Sequence, residues 1–320
     1  MNKQSILVTG GAGFIGSHVV DKLLERGERV LVIDDLNDYY DPNIKKSNLA
    51  SHTGKKNFRF FEGDITDFEF LARTFKENQV SHIIHLAARA GVRSSIQNPA
   101  LYEKVNVLGT LNLLEVARIY GVKNFIFGSS SSVYGNRSET PFRENVPADA
   151  QISPYGATKR MAELLIYTHH YLYKINSVCL RFFTVYGERG RPDMAPYLFT
   201  ESLIKNGEIS MFGDGKTSRD YTHVEDIVRG ILKCLDKDFG YEIINLGNHN
   251  PISLSQFVEI LEEITGIKAK IITLPKKPGD VETTYADISK AQQLLDWEPK
   301  IGIYEGMKRY VEWHKLFYFS

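Results

Sequence analysis

The chain has 320 residues, 42% hydrophobic and 24% charged, an ordinary globular balance in a chain too long for one small core. Lys plus Arg and Asp plus Glu both total 39, so no net field selects nucleic acid or an anionic membrane, and only a local basic pocket for a small anion stays open. The two cysteines, Cys179 and Cys234, stand in apolar stretches like free thiols, no apolar run nears the ~20 residues of a membrane span, and the N-terminus enters a strand at once without a secretory signal, so the expected compartment is the cytoplasm.

Short apolar runs then alternate with amphipathic stretches. Ile6 to Val8 reads as a strand, followed by a helix through Leu24; Val30 to Ile33 is the second strand. The segment 34–48 is the least patterned and is expected to be a mobile loop. Phe58 to Phe61 and His82 to Leu86 are further strands, each followed by a helix, from about Asp67 and from about Pro99 to Tyr120. Phe125 to Phe127 is a fifth strand ending in four serines, Ser129 to Ser132; a helix from Pro154 to Tyr173 and a strand from Val178 to Phe183 follow. Strands alternating with helices predict an α/β, doubly wound, Rossmann-type parallel sheet. After Tyr186, Gly and Pro become frequent and the helices shorter. The expected division is therefore a first domain over 1–180, with a returning segment near 220–246 that includes a helix over Thr222 to Leu235, and a smaller α/β substrate-binding domain over 181–320.

The glycines at 10, 11, 13 and 16 follow the first strand directly. Gly10, Gly13 and Gly16, with Phe14 and Ile15 between them, fit a dinucleotide fingerprint: a tight turn lets a pyrophosphate approach the backbone at a helix N-terminus. Asp34 and Asp35 end the second strand, where a carboxylate binds a ribose 2′-hydroxyl and repels a 2′-phosphate, so NAD is expected over NADP. Asp64 and Ile65, and Leu86, Ala87 and Ala88, end the third and fourth strands, at the sheet edge where ligands bind.

Tyr155 and Lys159 share a helix face at i and i+4, and Ser153-Pro154 marks the helix start. A neighbouring ammonium favours phenolate and lowers a tyrosine pKa from its usual value of about 10, which suits a general base for a substrate hydroxyl. Tyr304 and Lys308 repeat the spacing near the C-terminus but have no serine strand before them. His82 and His85 lie on one strand, and no cluster has metal-ligand spacing, so no metal is expected.

Together TGGAGFIG, the LAA strand end, the serines before VYG, and YxxxK resemble the extended short-chain dehydrogenase/reductase family, from Ile6 to Trp313, and within it the nucleotide-sugar 4-epimerases. LNDYYD (36–41), AARAGVR (87–93) and RFFTVYGERGRPDM (181–194) narrow the resemblance to UDP-glucuronate 4-epimerases. Arg89 stands where that group commonly has Gln, and Ser94 where it commonly has an aromatic residue.

The resemblance implies a reaction. Tyr155, held as phenolate by Lys159, takes the proton of the sugar 4-hydroxyl. NAD takes and returns the C4 hydride and is regenerated, and a 4-keto sugar turns over in the pocket. Ser130 falls at the catalytic serine position beside the 4-oxygen. Ser131 and Ser132, with Thr184, are candidates for the glucuronate carboxylate, whose oxygens hydroxyls and N–H groups can satisfy. Related decarboxylases carry a Glu before VYG; this chain has no acid there, so epimerisation without loss of carbon dioxide is expected. Arg219, in RDYTHVEDI, Arg191 and Lys277 are the candidate diphosphate cations, Asp280 the candidate for a ribose hydroxyl, and Met211-Phe212 the candidate segment along the uracil.

The resemblance also implies a homodimer paired through the helices near 99–120 and 154–174, with burial inside the monomer as the alternative. Two other functions stay open at this point. One is a different enzyme on the same scaffold, a UDP-glucose/UDP-galactose 4-epimerase or a UDP-glucuronate decarboxylase. The other is a catalytically silent NAD-binding protein, against which the intact Ser130, Tyr155 and Lys159 argue.

Overall fold

The computed structural model describes residues 4–275 and 281–318. In chain order it contains β1 (Ser5–Thr9), α1 (Phe14–Glu25), β2 (Arg29–Asp34), α2 (Pro42–Ala50), β3 (Phe58–Glu62), α3 (Phe68–Glu77), β4 (Val80–His85), α4 (Val92–Gln97), α5 (Pro99–Glu103), α6 (Gly109–Tyr120), β5 (Asn124–Ser130) and α7 (Pro154–Tyr173). Then come β6 (Asn176–Phe182), β7 (Thr184–Tyr186), α8 (Ala195–Asn206), β8 (Glu208–Phe212), β9 (Ser218–Arg219), β10 (Tyr221–His223), α9 (Val224–Lys233) and β11 (Tyr241–Leu246). The chain closes with β12 (Ile252–Ser253), α10 (Leu254–Thr265), β13 (Lys270–Leu274), α11 (Ser289–Leu295) and α12 (Ile303–Tyr318).

The chain divides into two compact units. The first comprises residues 1–135, 147–181 and 228–244, and the second 136–146, 182–227 and 245–320. The first carries a seven-stranded sheet in the order β3-β2-β1-β4-β5-β6-β11, a doubly wound Rossmann-type sheet in which β3 through β5 pair in parallel. Strand order reverses between β1 and β4, which places a crevice at the carboxyl ends of those strands. β1 is buried along its whole length, as a central parallel strand covered on both faces must be. Leu7, Leu31, Ile83, Phe125 and Phe127 from the sheet, with Leu113 and Ala162 from the helices, form the core.

The second unit is built from two-stranded pieces, β10 with β7, β12 with β9 and β13 with β8, around a smaller core that includes Tyr186, Leu203, Phe257 and Tyr310. Asp220 gathers its loops: its carboxylate accepts the backbone N–H of Asn248, His249 and Ala286.

Three elements differ from the sequence expectation. The stretch 34–48 is not loop throughout, because Asp41 caps α2 by accepting the Asn43 N–H and Pro42 opens the helix. The helix expected over 99–120 is broken by one wider π-turn, residues 104–108, that separates α5 from α6. Tyr221 to His223 form a short strand, so the helix expected from Thr222 starts at Val224.

Candidate active site

The glycine loop packs where only hydrogen fits. A Cβ at Gly16 would lie 2.1 Å from the Gly10 carbonyl oxygen, and one at Gly10 would lie 2.7 Å from the Ala87 nitrogen. Gly10 also has φ +69°, the left-handed region glycine tolerates. α1 is thus drawn against β1 and the β4 edge, with Gly13, half-buried, as an N-cap that brings no side-chain acceptor to the first-turn N–H groups. Phe14 is buried and Ile15 half-buried on that first turn.

The two carboxylates at the end of β2 differ. Asp34 is buried, and its oxygens accept the N–H of Ala12 and of Leu36, so it braces the glycine loop; burial pushes its pKa up against those hydrogen bonds. Asp35 is half-buried; it accepts from the backbone and side chain of Asn37, with Arg89 Nη2 3.8 Å from its other oxygen. Lys45 is buried nearby and donates to the Asn37 carbonyl. Asp64 accepts the Thr66 N–H, while Ile65 sits in the core against Gly109. Leu86, Ala87 and Ala88 lie just past β4 and are half-buried; Leu86 and Ala87 bond back to the Thr9 carbonyl and hydroxyl. The Thr9 hydroxyl is itself held by His85, buried between Thr9 and Thr110 and held neutral because burial drops its pKa well below the usual range. This cradle fits a dinucleotide: close backbone, first-turn N–H groups that no side chain caps, and a half-buried carboxylate at the end of β2.

The candidates for the chemistry lie on α7 and at the end of β5. Ser153 caps α7 by accepting the Gly156 N–H, with Pro154 next, which sets Tyr155 in the first turn. The Tyr155 ring is half-buried and meets the edge of Tyr102 at 6.3 Å. Lys159 is buried, donates from Nζ to the Gly128 carbonyl at 2.7 Å and sits over the Phe127 ring. Burial pushes its pKa down to about 7, with the Glu163 carboxylate pulling the other way.

β5 ends in the serines. Ser129 does more than end the strand: its hydroxyl donates to the buried Glu163 carboxylate at 2.7 Å. Ser130 caps the following 3₁₀ turn, residues 131–134, by accepting the Ser132 N–H. Ser131 and Ser132 are half-buried on that turn. The turn rests on α7: a Cβ at Gly156 would lie 2.5 Å from the Ser132 carbonyl oxygen.

Two residues the sequence reading passed over hold this end together. Asn106, in the π-turn, accepts the Arg89 N–H and donates to the Arg89 carbonyl and the Thr158 hydroxyl, so it ties the β4 edge to α7. A π-turn of this kind often marks a functional site, but nothing in KVNVLGT announces it. Glu163 lies one turn beyond Lys159 and extends the Tyr155 spacing by another four residues, a signal that sequence alone could have supplied.

The remaining candidates lie in the second unit. Thr184 opens β7 and donates its N–H to the Asp220 carbonyl. Arg219, half-buried, donates from Nη1 to the carbonyls of Ser218 and Glu282. Arg191 forms a two-bond fork with Asp193. Met211 is buried and Phe212 half-buried on β8. Lys277 and Asp280 lie outside the described residues. Among the described residues, no His, Cys, Asp and Glu side chains gather as a metal ion would need, and no helix is long and apolar enough to cross a membrane.

A doubly wound sheet with a glycine-loop cradle, a Tyr-Lys helix and a serine turn defines a dinucleotide-dependent enzyme of the extended short-chain type. The chain belongs to the family described as GDP-mannose 4,6 dehydratase, whose model matches residues 7–310. It is 49% identical over 310 residues to a UDP-glucuronate 4-epimerase of Thermodesulfobacterium geofontis, covering 97% of this chain and 95% of that one. Its structure is similar, at TM-score 0.93 and 35% identity, to the UDP-glucuronic acid 4-epimerase of Bacillus cereus solved with UDP-glucuronic acid and NAD, covering 98% and 100%. The UDP-glucose 4-epimerase of Thermotoga maritima, solved with UDP-glucose, is similar at TM-score 0.90 and 38% identity, covering 98% and 99%.

Proposed function

We propose that the protein is an NAD-dependent 4-epimerase of UDP-glucuronate, forming UDP-galacturonate through a transient 4-ketone with the carboxylate retained. The observation that carries this reading is the serine turn seated on the Tyr155–Lys159 helix, a segment with hydroxyls at Ser130, Ser131 and Ser132 and no acid in its sequence before Val133-Tyr134-Gly135. Bound at the glycine cradle, NAD supplies the oxidant and reductant for C4. Tyr155 accepts the proton of the 4-hydroxyl and returns it after inversion. Lys159 favours the phenolate by its charge. Ser130 holds the 4-oxygen, and Ser131, Ser132 and Thr184 bind the carboxylate. That last task matters because a 4-keto uronate is a β-keto acid and loses carbon dioxide unless its carboxylate is held where C–C cleavage is disfavoured.

Within the second unit, Arg219 is our assignment for the diphosphate, with Arg191 released from Asp193 as the second cation; Lys277 and Asp280 complete the proposed set, and Met211 and Phe212 line the uracil. We assign the nucleotide cradle to the first unit and the UDP-sugar groove mainly to the second. The homodimer rests on a stripe of exposed apolar residues on α7, Leu164, Tyr167 and Tyr171 with Met161 and Leu172 beside it, and on Ile119 of α6; light scattering at micromolar protein checks it. The cytoplasm is the proposed compartment, since Cys179 and Cys234 are buried free thiols.

One experiment tests the activity. The purified protein, without added NAD, is incubated with UDP-glucuronate and separately with UDP-glucose, and the products are identified by NMR. The C4 epimer from the uronate supports the reading. Conversion of the neutral sugar alone, or accumulation of a UDP-pentose, overturns it.

A further inference from the structure

Beneath the serine turn lies a buried charge cluster that the reaction itself does not use. Glu163 is wholly buried on α7, one helical turn beyond Lys159 and on the same face. Its carboxylate accepts four hydrogen bonds. Ser129 Oγ and Arg181 Nε reach Oε1 at 2.7 and 2.9 Å. Arg181 Nη2 and Arg160 Nη1 reach Oε2 at 2.8 and 3.0 Å. Arg181, buried on β6, also lays its guanidinium over the Tyr134 ring at 4.6 Å. One carboxylate therefore joins the helix of Tyr155 and Lys159, the strand that ends in Ser130, the far end of the serine turn, and the neighbouring strand.

We infer that Glu163 is a positioning residue for the epimerase reaction: it locks the serine strand in register with α7 and supplies the negative charge that favours the ammonium form of Lys159. The inference rests on the proposed roles of Tyr155, Lys159 and Ser130.

A buried ion pair is weak evidence for stability, because desolvation offsets its Coulombic gain, and a neutral pair of similar shape often folds as well. Its retention here needs a reason other than stability, and the neighbours of Lys159 provide one. Burial presses the ammonium toward its neutral form, and the groups facing it offer little countercharge. His85 from β4 is neutral, and the Cys179 thiol from β6 is raised beyond the physiological range by burial. Tyr155 is the group Lys159 serves, and the two arginines carry the wrong sign. Tyr241 of β11 donates to the Glu163 backbone carbonyl, and burial keeps its phenol protonated. That leaves Glu163. Burial would raise its own pKa, but the Arg181 hydrogen bonds and charge outweigh that and hold it below the usual carboxylate range, so it stays charged throughout the working range.

The test separates charge from packing. Glu163→Gln alone strands Arg181 as a buried unpaired cation, so the deciding variant is the double substitution Glu163→Gln with Arg181→Met, which is neutral and similar in volume. It is expected to melt within a few degrees of the wild type and retain NAD. The alkaline limb of kcat moves down by about one pH unit, because Lys159 loses its proton earlier without the opposite charge. A wild-type limb in the double variant overturns the electrostatic half. Ser129→Ala, which removes a single hydrogen bond and leaves the charges in place, tests the register half: kcat falls about tenfold at unchanged KM, and an unchanged kcat overturns it. If the double variant fails to fold, the same pH profile is measured on Glu163→Gln, and a wild-type limb there counts equally against the inference. Wild-type epimerisation of UDP-glucuronate is measured alongside, so failure of the functional reading is seen separately.

Discussion

Ser130 donates from Oγ to the Oγ of Ser132 at 3.2 Å, and the Ser132 backbone N–H returns to Ser130 Oγ at the same distance. The proposed partner of the 4-oxygen is thus also the cap of the turn that presents the proposed carboxylate ligands. Ser130→Ala removes both functions. It is expected to lower melting stability by about 1 kcal/mol, the usual loss for a cap, and kcat by about a hundredfold. Ser130→Thr keeps a hydroxyl at Cβ and is expected to recover most of both. Thermal unfolding and steady-state rates on the two variants check this.

Replacing both Ser131 and Ser132 by alanine is aimed at substrate choice. Hydrogen bonds to a charged group contribute about 1.5–3 kcal/mol each, so the KM for UDP-glucuronate is expected to rise at least tenfold. Binding of UDP-glucose and of NAD, which do not engage that carboxylate, should stay near wild type. Equal weakening toward both sugars would show that the two serines only shape the turn.

Tyr155→Phe tests the base. The ring keeps its edge contact with Tyr102 while the phenol is lost. Turnover is expected to fall by about 10²–10⁴-fold, the usual range for proton-transfer catalysis, with NAD content and melting temperature unchanged. Single-turnover rates alongside cofactor release on denaturation give both readouts.

The parts of this site that could be read from sequence are those set by local chain geometry. Gly10 to Gly16, Ser153-Pro154 and the Tyr155–Lys159 spacing each carry their signal within a few residues, and the structure builds them as a cradle, a helix start and one helix face. Asp41-Pro42 is equally local, a helix start that the polar and turn-forming composition of its segment masks. What escaped depends on distance in sequence. Glu163 finds Arg181 only because α7 packs on β6, and Asn106 reaches Arg89 and Thr158 only because a π-turn rotates it between them. The second role of Ser129 was hidden for the same reason.

Lys159 gives a pH-dependent stability with a definite sign. Its pKa is 10.5 in an ordinary setting and about 7 in the folded protein, lowered by burial. Between those values the unfolded chain binds the proton and the folded chain does not, so unfolding free energy rises with pH across the window from about 7 to about 10. Below pH 7 both states carry the proton and the cost of burying it is present in full. Cofactor-free wild type is therefore expected to gain stability over that window relative to Lys159→Met, by a few kcal/mol at most. Urea unfolding of both proteins at several pH values measures the difference. A constant difference across the window would place the Lys159 pKa near its ordinary value.

Gly156→Ala sets two effects against each other. Alanine is favoured over glycine inside a helix by about 1 kcal/mol, and Gly156 lies in the first turn of α7. The new methyl group would stand 2.5 Å from the Ser132 carbonyl oxygen, closer than any real contact, and the obstacle is backbone that cannot swing aside. Relief requires the helix start and the serine turn to separate, and overpacking of this kind costs about 1–3 kcal/mol. The clash is expected to win on stability, but its larger effect should be on rate. Tyr155 immediately precedes Gly156, and Ser130 caps the displaced turn, so the movement separates the two groups proposed to share the 4-oxygen. Melting temperature should fall by a few degrees while kcat falls at least tenfold and KM for the nucleotide sugar changes little. A variant with raised stability and full kcat would mean that the turn and the helix can part without disturbing the chemistry.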